Sequence, residues 1–159
     1  MQDRALIQKL LNRIAAVKFL DNFKKKAIEL NIKSYELSRA AGKIENAFSK
    51  TYSEMEDPRL SSFLRFWHAA LNIVEARGEK ADELNFNSLI DSELKEILTI
   101  LNDINEADLK EFLRRHREFF LGLYVYVQLL KNKKAAAEEE IDAYERNLKI
   151  IAGDGNSGN

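Results

Sequence analysis

One proline in 159 residues is the feature that most restricts what this chain can fold into. Proline removes a backbone donor and ends helices, and glycine is the next strongest breaker. Of the six glycines, three stand in the closing run GDGNSGN. Between them the chain has almost nothing to interrupt a helix, and runs of alternating β-branched residues that would mark strands are nearly absent. The expectation is an all-α fold.

Apolar spacing places the helices. Leu6, Leu10, Ile14 and Val17 recur every three or four residues and predict a first amphipathic helix. A second, over 21–31, turns Phe23, Ala27, Ile28 and Leu30 inward and the Lys24, Lys25, Lys26 run outward. Short helices follow over 34–41 and 44–52, separated by Gly42, the residue type best suited to the left-handed turn after a helix. Asp57 and Pro58 read as an N-cap and a first helical residue, which starts a helix over 60–75. Two more helices are expected over 91–103 and 106–134, with Asn105 capping the latter. A last one over 135–150 carries Ile141, Tyr144, Leu148 and Ile151 on one face. The polar stretch RGEKADELNFN, residues 77–87, reads as a linker between a helical domain over 1–76 and a helical region over 88–151. Residues 152–159 read as a disordered tail.

Charge and composition narrow the function. The chain has no cysteine, so disulfides and thiolate metal sites are excluded, and a reducing compartment is the expected setting. The longest apolar run, FFLGLYVYVQLL over 119–130, falls short of the roughly 20 residues that span a bilayer. The start of the chain does not resemble a secretory signal. A cytoplasmic protein without membrane attachment is expected. Residues 1–78 hold 14 Lys/Arg against 9 Asp/Glu, whereas residues 79–159 hold 11 against 17. A basic half joined to an acidic half points to a polyanion-binding module beside an interaction module.

From Phe23 to Leu71, five features fall in a fixed order: a helix, a polar break, SYELSRAAG, AFSK, then EDPRLSSFLRF. This resembles the phage-repressor/Cro-like (XRE-type) helix-turn-helix family at Leu37, Gly42, Phe48, Pro58, Leu60 and Phe63, over about a third of the chain. The resemblance implies a DNA-binding transcriptional regulator whose second short helix enters the major groove of duplex DNA. On that reading Lys43, Asn46, Ala47 and Lys50 lie near base edges, with Asn46 able to pair bidentately with adenine. Lys33, Ser34, Tyr35, Arg39, Ser49 and Thr51 would contact the sugar-phosphate backbone. The chain departs from the family at Ser34, where a glutamine is usual, at Ser38, where alanine is usual, and at Lys43, where the residue is usually apolar. Glu45 adds a carboxylate at the start of the presumed reading helix.

Other chemistry is thin. His68 and His116 lack partners at metal-ligand spacing, no phosphate-cradling glycine loop occurs, and carboxylate pairs such as Glu93 and Glu96 have helix-surface spacing. No enzyme activity, metal or cofactor is expected. The stripe Phe120, Leu123, Tyr124 and Val127 is either core or a self-association surface, and a C-terminal dimerisation region suits a regulator that reads two half-sites as a homodimer. An alternative comes from the late helix FLRRHREFFLGLYVYVQLL, which is loosely similar to the small helical subunits of type III CRISPR effector complexes. That likeness implies an RNA-binding subunit of a ribonucleoprotein, with Arg114, Arg115, Arg117 and Lys131 lining the backbone groove.

Overall fold

The computed structural model describes residues 2–55 and 57–154. Their regular elements are all helices, with no strand among the described residues. In order they form α1 (Gln2–Glu29), α2 (Ser34–Ala40), α3 (Ala47–Ser53), α4 (Leu60–Ala76), a 3-10 turn (Asp82–Leu84), α5 (Phe86–Leu89), α6 (Ser92–Asp103), α7 (Glu106–Arg115), α8 (Arg117–Gly122), α9 (Tyr124–Asn132) and α10 (Glu138–Asp154). They divide into two units, residues 16–91 and residues 1–15 with 92–159.

The two helices expected at the start are one. Ile7, Leu10, Ile14, Val17, Leu20, Phe23 and Ala27 are all buried at three- or four-residue intervals, with Leu11 buried beside them, and nothing between Val17 and Asp21 breaks the period. Ile28 departs from the expected inward set and is 63% exposed. The helix stops at Asn31, whose φ of 56° lets the Ile32 N–H bond the Ala27 carbonyl at 2.8 Å.

In the unit of residues 16–91 the core is aromatic. Phe23 meets Phe48 and Phe63 edge-on at 5.6 and 5.4 Å, Phe48 meets Phe66 at 5.1 Å, and Leu20, Leu37, Ala70 and Val74 close around them. Residues 77–87, expected as a linker, fold into this unit. Leu84 is fully buried and its carbonyl accepts the Trp67 indole N–H at 2.6 Å, while Asn22 donates to the Leu89 carbonyl at 2.9 Å. Pro58 lies two residues before the first residue of α4 rather than on it, and Arg59 holds the cap position.

The unit of residues 1–15 with 92–159 is held by Leu10, Leu11 and Ile14 together with Leu101, Phe112, Phe120, Val127, Leu130 and Tyr144, all nearly inaccessible. Arg4 donates to the Ile104 carbonyl at 2.6 Å, and Asn105 caps α7 by accepting the Asp108 N–H at 3.2 Å. The helix expected over 106–134 is three segments, with breaks at His116 and Leu123. At the second break the Phe120 carbonyl, which a continuous helix offers to Tyr124, accepts the buried Tyr144 hydroxyl instead. Burial pushes that phenol's pKa well above its ordinary value, so it stays a donor. The last helix begins at Glu138 rather than 135, because Lys134 takes a φ of 53° and ends α9. Residues 152–154, read from the sequence as tail, belong to α10; the remainder of that expected tail lies outside the described residues.

Candidate nucleic-acid interface

The segment that resembles a helix-turn-helix lies wholly in the unit of residues 16–91. Two seven-residue helices, α2 and α3, pack together and against α4. Gly42, with a φ of 74°, closes α2 by a double bond pattern: its N–H reaches the Arg39 carbonyl at 3.0 Å and the Lys43 N–H reaches the Ser38 carbonyl at 2.9 Å. The turn is longer than the sequence suggested. Residues 44–46 precede α3, so Glu45 and Asn46 stand in the turn and the helix begins at Ala47.

Ser38 explains how so long a turn is held. Its hydroxyl is fully buried, donates to the Ser34 carbonyl at 3.1 Å and accepts the Phe48 N–H at 3.0 Å. An alanine there could not make this tie. A second fastening joins α3 to α1: the Tyr52 hydroxyl donates to Asp21 at 2.7 Å, Lys25 pairs with Asp21 at 2.9 Å, and the Lys24 ammonium sits 3.8 Å from the centre of the Tyr52 ring. Neither tie was read from the sequence. An i,i+4 Asp21–Lys25 pair was visible there, but Tyr52 is thirty-one residues away.

Burial pushes the Asp21 carboxyl upward, and the hydrogen bonds from Lys25 and Tyr52 with the nearby lysine charges more than reverse this, so its pKa falls below the ordinary carboxylate value. A depressed folded-state pKa means the contribution is present above the unfolded value, near 4, and is lost as pH falls through the folded value. Asp21→Asn is therefore expected to lower urea stability at neutral pH while flattening its decline below pH 4. Parallel curves for variant and wild type through that range would contradict the assignment.

The expected contact residues divide by exposure. Lys33, Tyr35, Arg39, Asn46 and Lys50 are exposed, whereas Ser34, Lys43, Ala47, Ser49 and Thr51 are half-buried. Asn46 caps α3 by position without a side-chain cap bond, and Lys50 follows it one turn later. Ser49 and Thr51 donate their hydroxyls back to the Asn46 and Ala47 carbonyls at 3.2 and 3.0 Å. Lys43 lies with its ammonium 5.9 Å from the Phe66 ring. Arg39 reaches Glu45 at 2.6 Å and lies 5.6 Å from the Tyr35 ring, while Lys33 approaches that ring from 5.9 Å. Glu45 thus occupies the guanidinium that was expected to meet phosphate. Ile44, 73% exposed beside these residues, is an apolar surface group that the sequence placed at a helix start without a role.

The charge contrast between chain halves changes when charges are assigned to units. Residues 16–91 hold twelve Lys/Arg and twelve Asp/Glu. Within that unit the polarity returns: residues 16–53, spanning the end of α1, α2 and α3, hold eight against four, and residues 54–91 hold four against eight. In the other unit, three of the four cations proposed for an RNA groove are engaged internally. Arg114 and Arg115 pair with Glu111, and Lys131 lies 3.5 Å from Glu145.

Among the described residues no cluster of His, Cys, Asp or Glu could hold a metal ion, and no helix is long and apolar enough to cross a membrane. His68 lies beside Trp67, the ring centres 5.0 Å apart and the planes tilted by 41°. No protein-family model, curated protein or solved structure matches the chain.

Proposed function

We propose that residues 16–91 dock on duplex DNA through α2 and α3, and that the chain is a sequence-specific DNA-binding transcriptional regulator. The observation that carries this reading is the exposed Asn46–Lys50 pair, one helical turn apart at the start of α3, a helix fastened to α2 by Ser38 and to α1 by Tyr52. An amide at that place can serve adenine N6 and N7 together, and the lysine can reach guanine or a phosphate. Lys33, Tyr35 and Arg39 flank the pair as backbone contacts, supported by the eight-to-four excess of cations over 16–53. Arg39 exchanges its Glu45 pairing for a phosphate on docking.

Selection of ligands from random duplex DNA tests this. The expected outcome is an enriched motif containing adenine. Asn46→Ala should weaken binding to it by about 1–3 kcal/mol and relax the preference at that base, with an unchanged helical circular dichroism spectrum. Lys50→Ala should weaken binding more evenly across sequences. Recovery of no motif from a folded, soluble protein would sink the proposal.

A further inference from the structure

The face of α8 and α9 turned away from the core carries four exposed apolar residues within nine positions. Leu121 is 38% exposed, Tyr124 41%, Val125 58% and Leu129 38%, whereas Phe120, Leu123, Val127 and Leu130 on the other face are at most 3% exposed. Single surface hydrophobes need no explanation, but a contiguous stripe marks a contact surface. Helical bonding carries the stripe across the break at Leu123, since the Val127 N–H bonds the Leu123 carbonyl at 3.1 Å and the Leu123 N–H bonds that of Phe119 at 3.2 Å.

The order of residues on this stripe identifies its occupant. Leucine stands four positions before Val125 and four positions after it. Glu118 stands seven before and Lys133 eight after. Both charged residues are exposed, and among the described residues neither makes an ion pair within the chain; Arg114 and Arg115, beyond Glu118, are taken up by Glu111. An antiparallel two-fold pairing places residue i against j and j against i. About Val125 it sets valine on valine at the dyad, Leu121 on Leu129 twice, and Glu118 beside Lys133 twice. Gly122, exposed and without a side chain, leaves room for close approach near the dyad.

We infer that the α8–α9 face binds a second copy of this chain, antiparallel and centred on Val125. The inference stands on the unit of residues 1–15 with 92–159 and does not depend on the DNA reading; if both hold, the dimer presents two reading heads.

The absence of cysteine makes the test direct. A residue on a two-fold axis meets its own copy, so Val125→Cys should form a disulfide-linked dimer rapidly under mild oxidation, and Ile44→Cys, more exposed, should not. Sedimentation over a concentration series should show a wild-type dimer that Glu118→Lys and Lys133→Glu each weaken several-fold and that the double exchange restores. Circular dichroism of each variant separates lost pairing from lost folding. A wild-type monomer at every concentration, or crosslinking at Val125→Cys no faster than at Ile44→Cys, would overturn the inference, as would a double exchange weaker than either single one. These outcomes are read without DNA, so they stand apart from the duplex selection.

Discussion

Phe23→Ala is expected to cost about 3–5 kcal/mol, a large share of the 5–15 kcal/mol that holds a domain of this size. Phe23 is fully buried and is the ring that both Phe48 and Phe63 meet edge-on, so its loss opens a cavity between α1, α3 and α4. Neither neighbour slides freely to fill it, because Phe48 is also held at 5.1 Å by Phe66 and its N–H is bonded to Ser38, and Phe63 packs at 4.5 Å against Phe19. Urea unfolding with hydrogen exchange gives the measurement. Protection should fall most for amides of α2, α3 and α4 and least for those of α10. A loss below about 1 kcal/mol, the size of a surface substitution, would mean that the aromatic cluster does not hold this unit.

Ser38→Ala is the second large effect, expected at about 1–3 kcal/mol. The change removes one oxygen and leaves the Phe48 N–H buried without an acceptor, so the cost is that of an unsatisfied donor rather than of lost packing. The sign is informative, because alanine has the higher helix propensity and would stabilise α2 if propensity ruled. Exchange at the Phe48 amide should accelerate well beyond that of its neighbours. Unchanged exchange there, or a stabilised variant, would remove Ser38 as the link between the two short helices. Because the link also sets where α3 starts, the same variant should weaken duplex binding without touching a contact residue.

How much of this was legible in the sequence depended on how locally each feature is determined. The all-helical fold followed from the scarcity of breakers, and the α2 turn followed from Gly42, whose left-handed φ a sequence pattern can specify. The single α1 was also legible in principle: Leu20 continues the buried period from Val17 to Phe23, and no residue between them stops a helix. What the sequence hid were interactions set by distant partners. Leu84 in a polar stretch reads as a linker residue until Trp67, seventeen positions earlier, takes its carbonyl. At the break at Leu123, Gly122 was a visible local signal, but the Tyr144 hydroxyl that takes the Phe120 carbonyl there is twenty-four residues away from it.

The contact residues follow the same division. Exposure of Asn46 and Lys50 was readable from the apolar spacing around Phe48. The length of the turn was not, since it rests on a buried hydroxyl rather than on any turn-forming residue. Nor could the sequence show that Glu45 would pair with Arg39, or that a charge contrast between chain halves would cancel over residues 16–91 and reappear inside them. The units are not the halves, because α1 contributes to both. The mixed stripe around Leu123 resolved in the same way: its period was visible as core or contact surface, and the fold assigns Phe120, Leu123 and Val127 to the core and Tyr124 to the surface.

The most direct measurement of the central claim is a salt titration of binding to the selected DNA duplex, with single-stranded RNA of the same sequence in parallel. Docking through Lys33, Arg39 and Lys50 predicts that the duplex binds more tightly than the RNA at every salt concentration. It also predicts a logarithmic salt slope of about −0.9 for each phosphate neutralised, which becomes shallower by about one when Lys50 is replaced by alanine. Equal or tighter binding to the RNA, or a duplex affinity indifferent to salt, would contradict the account.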